Sequence, residues 1–287
     1  MRVLVLGASG MLGTDLVRIL RDRDHDVTPF TSKDLDLTNH KAVRDCGALS
    51  KKRHDWVVNC AAYTAVDQAE LEPELAWDVN EEGVLNLAEK LENGPRLIHI
   101  STDFVFDGSK TTPYTEEDEP NPISIYGQTK LGGERYVEAM IDDAVILRTS
   151  WLYGPNGKSF PKTMINAYEA GKTLRVVSDK VGCPTYTKDL AMAITEAIEM
   201  NIPGGIYHAA GPDAQSWHDF AELTLSTWRG EPVSIEPIPT SAYPTPAQRP
   251  NYSVLDTGKL AALGISPWRS TAECLKDFCQ DLKAQGL

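Results

Sequence analysis

Met1-Arg2-Val3-Leu4-Val5-Leu6-Gly7-Ala8-Ser9-Gly10-Met11-Leu12-Gly13 is the stretch whose reading decides the fold. Met1 to Leu6 is apolar apart from Arg2 and runs at once into a glycine, the pattern of a buried parallel strand entering a tight turn. From Met11 to Leu20, the residues Leu12, Leu16, Ile19 and Leu20 recur at helical spacing, so the turn opens a helix. Gly7, Gly10 and Gly13 allow that turn to be tight, let the backbone approach a ligand and let the helix pack on the strand, while the helix N-terminus offers unpaired N–H groups to an anion. A dinucleotide pyrophosphate is held in this way. A glycine-rich loop without a ligand is the plainer alternative, and the strand before and helix after favour the former.

The pattern repeats outward from this unit. Asp26 to Phe30, Asp55 to Cys60, Arg96 to Ser101 and Ala144 to Arg148 read as strands, and the segment from Leu75 to Leu91 reads as a long helix. Alternation of this kind predicts an α/β chain, a Rossmann-like doubly wound parallel sheet covered on both faces. The proline- and acid-rich stretch Pro113 to Pro122 is loop. After about residue 150 the alternation weakens and prolines become frequent. Residues 1–150 are therefore expected to form a dinucleotide-binding domain, completed by about 187–211, where Gly205 to Gly211 reads as a strand ending in a glycine turn. About 151–186 and 212–287 are expected to form a smaller C-terminal substrate-binding lobe.

The 287 residues carry a net charge of −13, and the pI is about 4.9. Acidity of that degree argues against a nucleic-acid partner, which needs clustered Lys and Arg. The five cysteines, Cys46, Cys60, Cys183, Cys274 and Cys279, form no C-x-x-C pair and fit reduced thiols in a cytoplasmic protein. Neither a leader-like segment nor a long apolar run appears, so no membrane association is expected.

A phenol and an ammonium four residues apart, Tyr126 and Lys130 in Tyr126-Gly127-Gln128-Thr129-Lys130, fall on one helix face. A nearby positive charge favours the phenolate and is expected to lower the Tyr126 pKa toward the range of a general acid or base. Chance also places such pairs on helices, and the neighbours decide. Thr102 follows the strand ending at Ser101, at the edge that faces the ligand crevice. A hydroxyl, a phenol and an ammonium suffice for carbonyl reduction, with hydride drawn from a dinucleotide. At the end of the second strand Thr31, Ser32 and Lys33 stand where an acidic residue would grip a ribose 2′-hydroxyl, so NADPH is expected to serve at least as well as NADH. Asp36 is a candidate for the adenine amino group or, equally, a helix N-cap.

The glycine spacing G-x-x-G-x-x-G, Cys60 to Asp67 (CAAYTAVD), Ser101 to Gly108 (STDFVFDG), YGQTK, Arg148 to Tyr153 (RTSWLY), Ser216 to Phe220 (SWHDF) and Ala242 to Pro250 (AYPTPAQRP) together resemble the extended short-chain dehydrogenase/reductase family nearly end to end. AYPTPAQRP, followed by Ser253, Leu255 and Lys259, resembles the 4-keto sugar reductases within it. The resemblance implies reduction of the C4 ketone of a dTDP-linked 4-keto-6-deoxy sugar. It implies Tyr126 as proton donor with Lys130 and Thr102 as partners, and Thr102, Asp103 and Trp151 on the sugar. It places Gly10, Met11, Leu12, Asp36, Leu37, Ala61, Ala62 and Tyr63 on the cofactor and Arg249 near the nucleotide phosphates. An indole can stack on a hexose face, and a guanidinium suits bidentate contact with a diphosphate.

Some family members are dimers that share a magnesium ion through glutamates, one of them in the segment that reads here Pro184-Thr185-Tyr186-Thr187-Lys188-Asp189. Lys188 stands at that ligand's position, which argues against a magnesium bridge and leaves monomer or homodimer open. Among rival activities, 4,6-dehydratases use an Asp-Glu pair where this chain has Asp103-Phe104, and Phe104 cannot do acid-base work. An epimerase would show no net oxidation of NADPH. A non-catalytic chain is the rival of another class, since some similar chains are regulatory subunits of methionine adenosyltransferase. The intact Thr102, Tyr126 and Lys130 favour the enzyme.

Overall fold

A computed structural model describes residues 1–286. Its centre is a six-stranded sheet containing β1 (Arg2–Leu6), β2 (Asp26–Phe30), β3 (Trp56–Asn59), β4 (Arg96–Thr102), β5 (Val145–Thr149) and the strand Gly205–His208. Strand Gly205–His208 lies outside β5, followed by β4, β3, β1 and β2, and every pairing is parallel. The chain thus winds outward in two directions from β1, as in a doubly wound sheet. β2 is an edge strand, which explains how it accommodates Pro29, a residue with no N–H to give a second neighbour.

The strands are apolar on both faces because both faces are covered. Val3, Val5, Trp56, Val58, Ile98, Val145 and Leu147 pack on one side with Leu12, Leu16 and Leu20 of α1 (Met11–Asp22) and with Leu190 and Ile194 of helix Thr187–Glu199. Leu4, Leu6, Val57, Leu97 and Ile146 point the other way, onto the layer that includes Val84 and Leu87. Period-two alternation is therefore present but hidden, since both sets are hydrophobic. Each fully buried Leu or Val in these layers contributes about 1.5–3 kcal/mol.

That second layer contains α2 (His40–Asp45), α5 (Gly83–Leu91) and α6 (Ile125–Met140), while the short helices α3 (Val66–Leu71) and α4 (Pro73–Trp77) bury Ala69 and Ala76 with Tyr126 of α6. The helix expected from Leu75 to Leu91 is interrupted by a π-helical turn, Asp78–Glu82. The reason is Asn80. Its amide is 1% exposed, accepts from Tyr63 N at 2.8 Å, and donates to Tyr63 O and Thr129 Oγ1 at 3.0 and 3.1 Å. Three buried bonds offset a local defect in the helical ladder. Close approach on the α6 side depends on Gly133, whose Cβ would lie 2.4 Å from Asn80 O.

A third core of Tyr153, Ile165, Phe220, Leu225, Leu275 and Phe278 sits apart from the sheet. Helix Trp217–Arg229 enters this region behind a capping box, in which Ser216 and Asp219 satisfy each other's backbone N–H.

Candidate active site

Gly7 sits at φ +72, where a Cβ would lie 2.7 Å from Ala61 N. A side chain on Gly13 would meet Gly7 O at 2.3 Å. Both positions therefore require glycine, and the turn brings the start of α1 against the end of β3. Gly10 is the N-cap of α1 and offers no side-chain cap, so the first N–H groups of the helix stay free for an anion.

Tyr126 lies in the first turn of α6, which Ser124 caps by accepting from Gly127 N at 3.1 Å. The ring of Phe104 meets the phenol edge-on at 5.5 Å. Thr102, which ends β4, donates to Asp103 Oδ1 at 3.1 Å and accepts from Phe104 N at 3.2 Å. Lys130 follows one turn after Tyr126, is 1% exposed, and donates to the carbonyl of Ile100 at 2.7 Å rather than to the phenol.

The lowered phenol pKa expected from the spacing is corrected here. Burial, reinforced by Asp103, pushes Tyr126 up to about 12 against a hydrogen bond with Thr102. The ammonium absorbs the shift instead: burial pulls Lys130 down to about 8, against the pull of Glu134 and Cys60. Asp103 is driven up to about 6, again by burial, against the hydroxyls of Ser253 and Thr102.

These groups line one cleft of about 850 Å³. It brings together Gly10, Met11, Leu12, Gly13, Ala62, Thr102, Asp103, Tyr126, Lys130, Trp151 and Arg249. Other expected residues lie outside its lining. Gly7 shapes the turn from behind. Ala61 N donates to Asn59 Oδ1, Tyr63 is held by Asn80, and the Leu37 carbonyl takes Asn86 Nδ2. Asp36 accepts from the N–H and hydroxyl of Thr38, and the N-cap of α2 is Asn39, which corrects the capping alternative for Asp36. Near Ser32 and Lys33, the hydroxyl and N–H of Thr31 both donate to Asp34, so a carboxylate does stand in the turn after β2.

Trp151 adopts φ +43, a left-handed conformation that is a genuine outlier for a bulky residue. Its indole stacks on Trp217 with centroids 3.6 Å apart and planes 9° from parallel. Gly182 makes room, since a Cβ there would fall 2.4 Å from the indole. Arg249 is already paired, with Nη1 and Nη2 at 2.9 and 2.8 Å from the two oxygens of Asp67. An adjoining pocket of about 370 Å³ shares Asp67, Phe160, Trp217 and Arg249 with the cleft and continues past Met164, Val176 and Tyr243.

Sequence reasoning missed Asp67, Lys158 and Trp217 as lining residues. Asp67 and Trp217 lay inside segments quoted for the family resemblance, so a signal was present. Lys158 follows Gly157 in a loop that lines the cleft beside Met11, and nothing in its local spacing announces that placement. No group of three or more His, Cys, Asp or Glu side chains among the described residues could hold a metal ion.

By the relatives it matches, a chain with this fold and cleft is an NAD(P)H-dependent oxidoreductase. The model of the family described as RmlD substrate binding domain matches residues 1–284, and the chain belongs to that family. It is 41% identical to the dTDP-4-dehydrorhamnose reductase of Mycolicibacterium smegmatis, over 96% of this chain and 84% of that one. The solved dTDP-4-dehydrorhamnose reductase of Clostridium acetobutylicum superposes with a TM-score of 0.92 at 40% identity, covering 99% of this chain and all of that one. That of Bacillus anthracis, in complex with NADP, gives 0.90 at 37% identity, over 96% and 98% of the two chains.

Proposed function

We propose that this protein reduces the C4 ketone of dTDP-4-dehydrorhamnose to the alcohol of dTDP-L-rhamnose, using NADPH or NADH. The observation that carries this reading is the convergence of Thr102, Tyr126 and Lys130 with the glycine turn in a single cleft. A turn that excludes any Cβ at Gly7 and Gly13, before a helix with free N–H groups, fits the pyrophosphate of a dinucleotide. The bound nicotinamide supplies hydride.

The remaining work falls to the chain itself. A phenol near pKa 12 is fully protonated at neutral pH, and an alkoxide developing on the C4 oxygen is more basic still, so Tyr126 gives up its proton readily. Thr102 donates to the same oxygen and aligns it. Lys130, charged at and below neutral pH, stabilises the phenolate that results. Trp151 covers the hexose, and Arg249 leaves Asp67 for the diphosphate. The lobe of residues about 151–186 and 212–287 takes the sugar nucleotide, while 1–150 with about 187–211 takes the cofactor. Thr31, Ser32 and Lys33 favour a 2′-phosphate, and Asp34 among them opposes it.

Incubation of the purified protein with NADPH and dTDP-4-dehydrorhamnose is expected to consume one NADPH per rhamnose formed, identified by NMR of the product. Turnover at C4 without net oxidation would reject the reductase in favour of an epimerase, and no turnover would favour the non-catalytic reading. In the same assay, a kcat/KM higher with NADH by about tenfold, roughly 1.4 kcal/mol, would overturn the expectation that NADPH serves at least as well as NADH.

A further inference from the structure

Behind Lys130 lies a chain of buried polar groups that the mechanism above does not use. Asn59 ends β3 and is 1% exposed, while His99 on β4 is fully buried. The backbone fixes the Asn59 amide, because Ala61 N–H donates to its Oδ1 at 3.1 Å. Its Nδ2 therefore faces His99 Nδ1, at 3.2 Å. An amide nitrogen only donates, so His99 Nδ1 accepts, and a neutral imidazole accepting there carries its hydrogen on Nε2. Burial keeps the ring neutral, holding its pKa well below the ordinary range. Nε2 in turn lies 3.5 Å from Lys130 Nζ. An ammonium at that position sets two donors against each other, whereas a neutral amine offers its lone pair to the ring N–H.

We propose that His99 is a positioning residue for Lys130: fixed by Asn59 as the Nε2–H tautomer, it turns a donor toward the amine and favours the neutral amine over the ammonium. The other groups facing Lys130 do not cancel this. Glu134 on α6 pulls toward the ammonium, but its carboxylate is held by Arg148 from β5 at 2.6 Å. Cys60 beside β3 is a buried thiol pushed up to about 12, and Tyr126 is a protonated phenol, so both are uncharged at neutral pH. Burial by itself brings the Lys130 pKa down to about 8, and the ring N–H acts in the same sense. The network thereby favours an amine that can release its proton just above neutral pH and take it back, a property the YxxxK spacing by itself does not confer. Its effect on turnover rests on the role proposed for Lys130, whereas the tautomer does not.

Two measurements separate these levels. In full-length protein labelled with 15N in the histidine rings, the long-range 1H–15N spectrum reports the tautomer, with His99 identified by its loss in His99→Phe. A neutral ring protonated on Nε2 is expected, and an Nδ1-protonated or charged ring overturns the proposal even if the enzyme turns over normally. In the pH profile of kcat/KM, His99→Phe is expected to move the alkaline limb upward by about half a unit or more. A limb that stays in place or moves down overturns the tuning. Should His99→Phe fail to fold, Asn59→Asp serves instead, since a carboxylate accepts from both Ala61 N–H and His99 Nδ1–H. It reverses the tautomer, and an upward shift of the limb is again expected, with no shift counting against the proposal.

Discussion

Asp103 is 2% exposed, with one oxygen taken by the Thr102 hydroxyl. Its folded pKa, near 6, stands above the 3.8 of the unfolded chain because burial disfavours the charge. The proton it holds in the folded state therefore stabilises fully below about pH 3.8, and that stabilisation is lost as pH rises through about 6. Above this window the ionised carboxylate costs about 3 kcal/mol. Asp103→Asn is expected to raise Tm relative to the parent at pH 8, with the gap closing as pH falls to 4. Thermal unfolding across that range checks it, and a gap independent of pH would show that burial of charge is not the cause. At this scale the sequence pointed to which residues meet rather than to their protonation states. That Tyr126, Lys130 and Thr102 would share one cleft followed from their types and spacing, but the phenol's pKa depends on how water is excluded by Phe104 and on where Lys130 points, and neither is a local property of YxxxK.

Helix α6 carries Tyr126 and Lys130, so whatever fixes α6 on the sheet fixes the site. Glu134 and Arg148 form a fully buried ion pair between α6 and β5, with Nε at 3.0 Å from Oε1 and Nη2 at 2.6 Å from Oε2. Two desolvated charges need not stabilise in sum, yet removing one leaves the other uncompensated, at a cost of about 3–5 kcal/mol. Glu134→Gln is expected to lose stability of that order in urea unfolding, and Glu134→Leu combined with Arg148→Met to recover much of it. Equal losses in the single and double variants would contradict this account. Most strands were legible because an apolar run between turns has few other fates. β1 and β4 differ from their expected spans only at the ends. The π-turn at Asp78–Glu82 was not legible, since Leu75 to Leu91 fits a continuous 3.6-residue period. Only the tertiary demand of Tyr63 and Thr129 on Asn80 shows why the ladder breaks.

Across the whole molecule, the cleft is assembled from segments far apart in sequence: the turn at Gly7 to Gly13, the end of β4, the start of α6, Trp151, Trp217 and Arg249. The class of the fold could be read from the alternation of elements. The stacking of Trp151 on Trp217 and the pairing of Arg249 with Asp67 could not, because no local period links such partners. Outside the lining of the cleft, Lys188 Nζ sits between Asp277 and Asp281 at 3.2 and 2.7 Å. An ammonium there pairs with both carboxylates and offers a divalent ion no oxygen ligand at position 188. Turnover is accordingly expected to be the same with and without EDTA, and a loss that magnesium restores would contradict it. As the proton donor, Tyr126 should set the single-turnover rate of NADPH oxidation with dTDP-4-dehydrorhamnose, measured in Tyr126→Phe beside the parent chain. A fall of roughly 10²–10⁴ in that rate with the thermal unfolding midpoint retained is expected, whereas an unchanged rate in the variant would rule out Tyr126 as the donor.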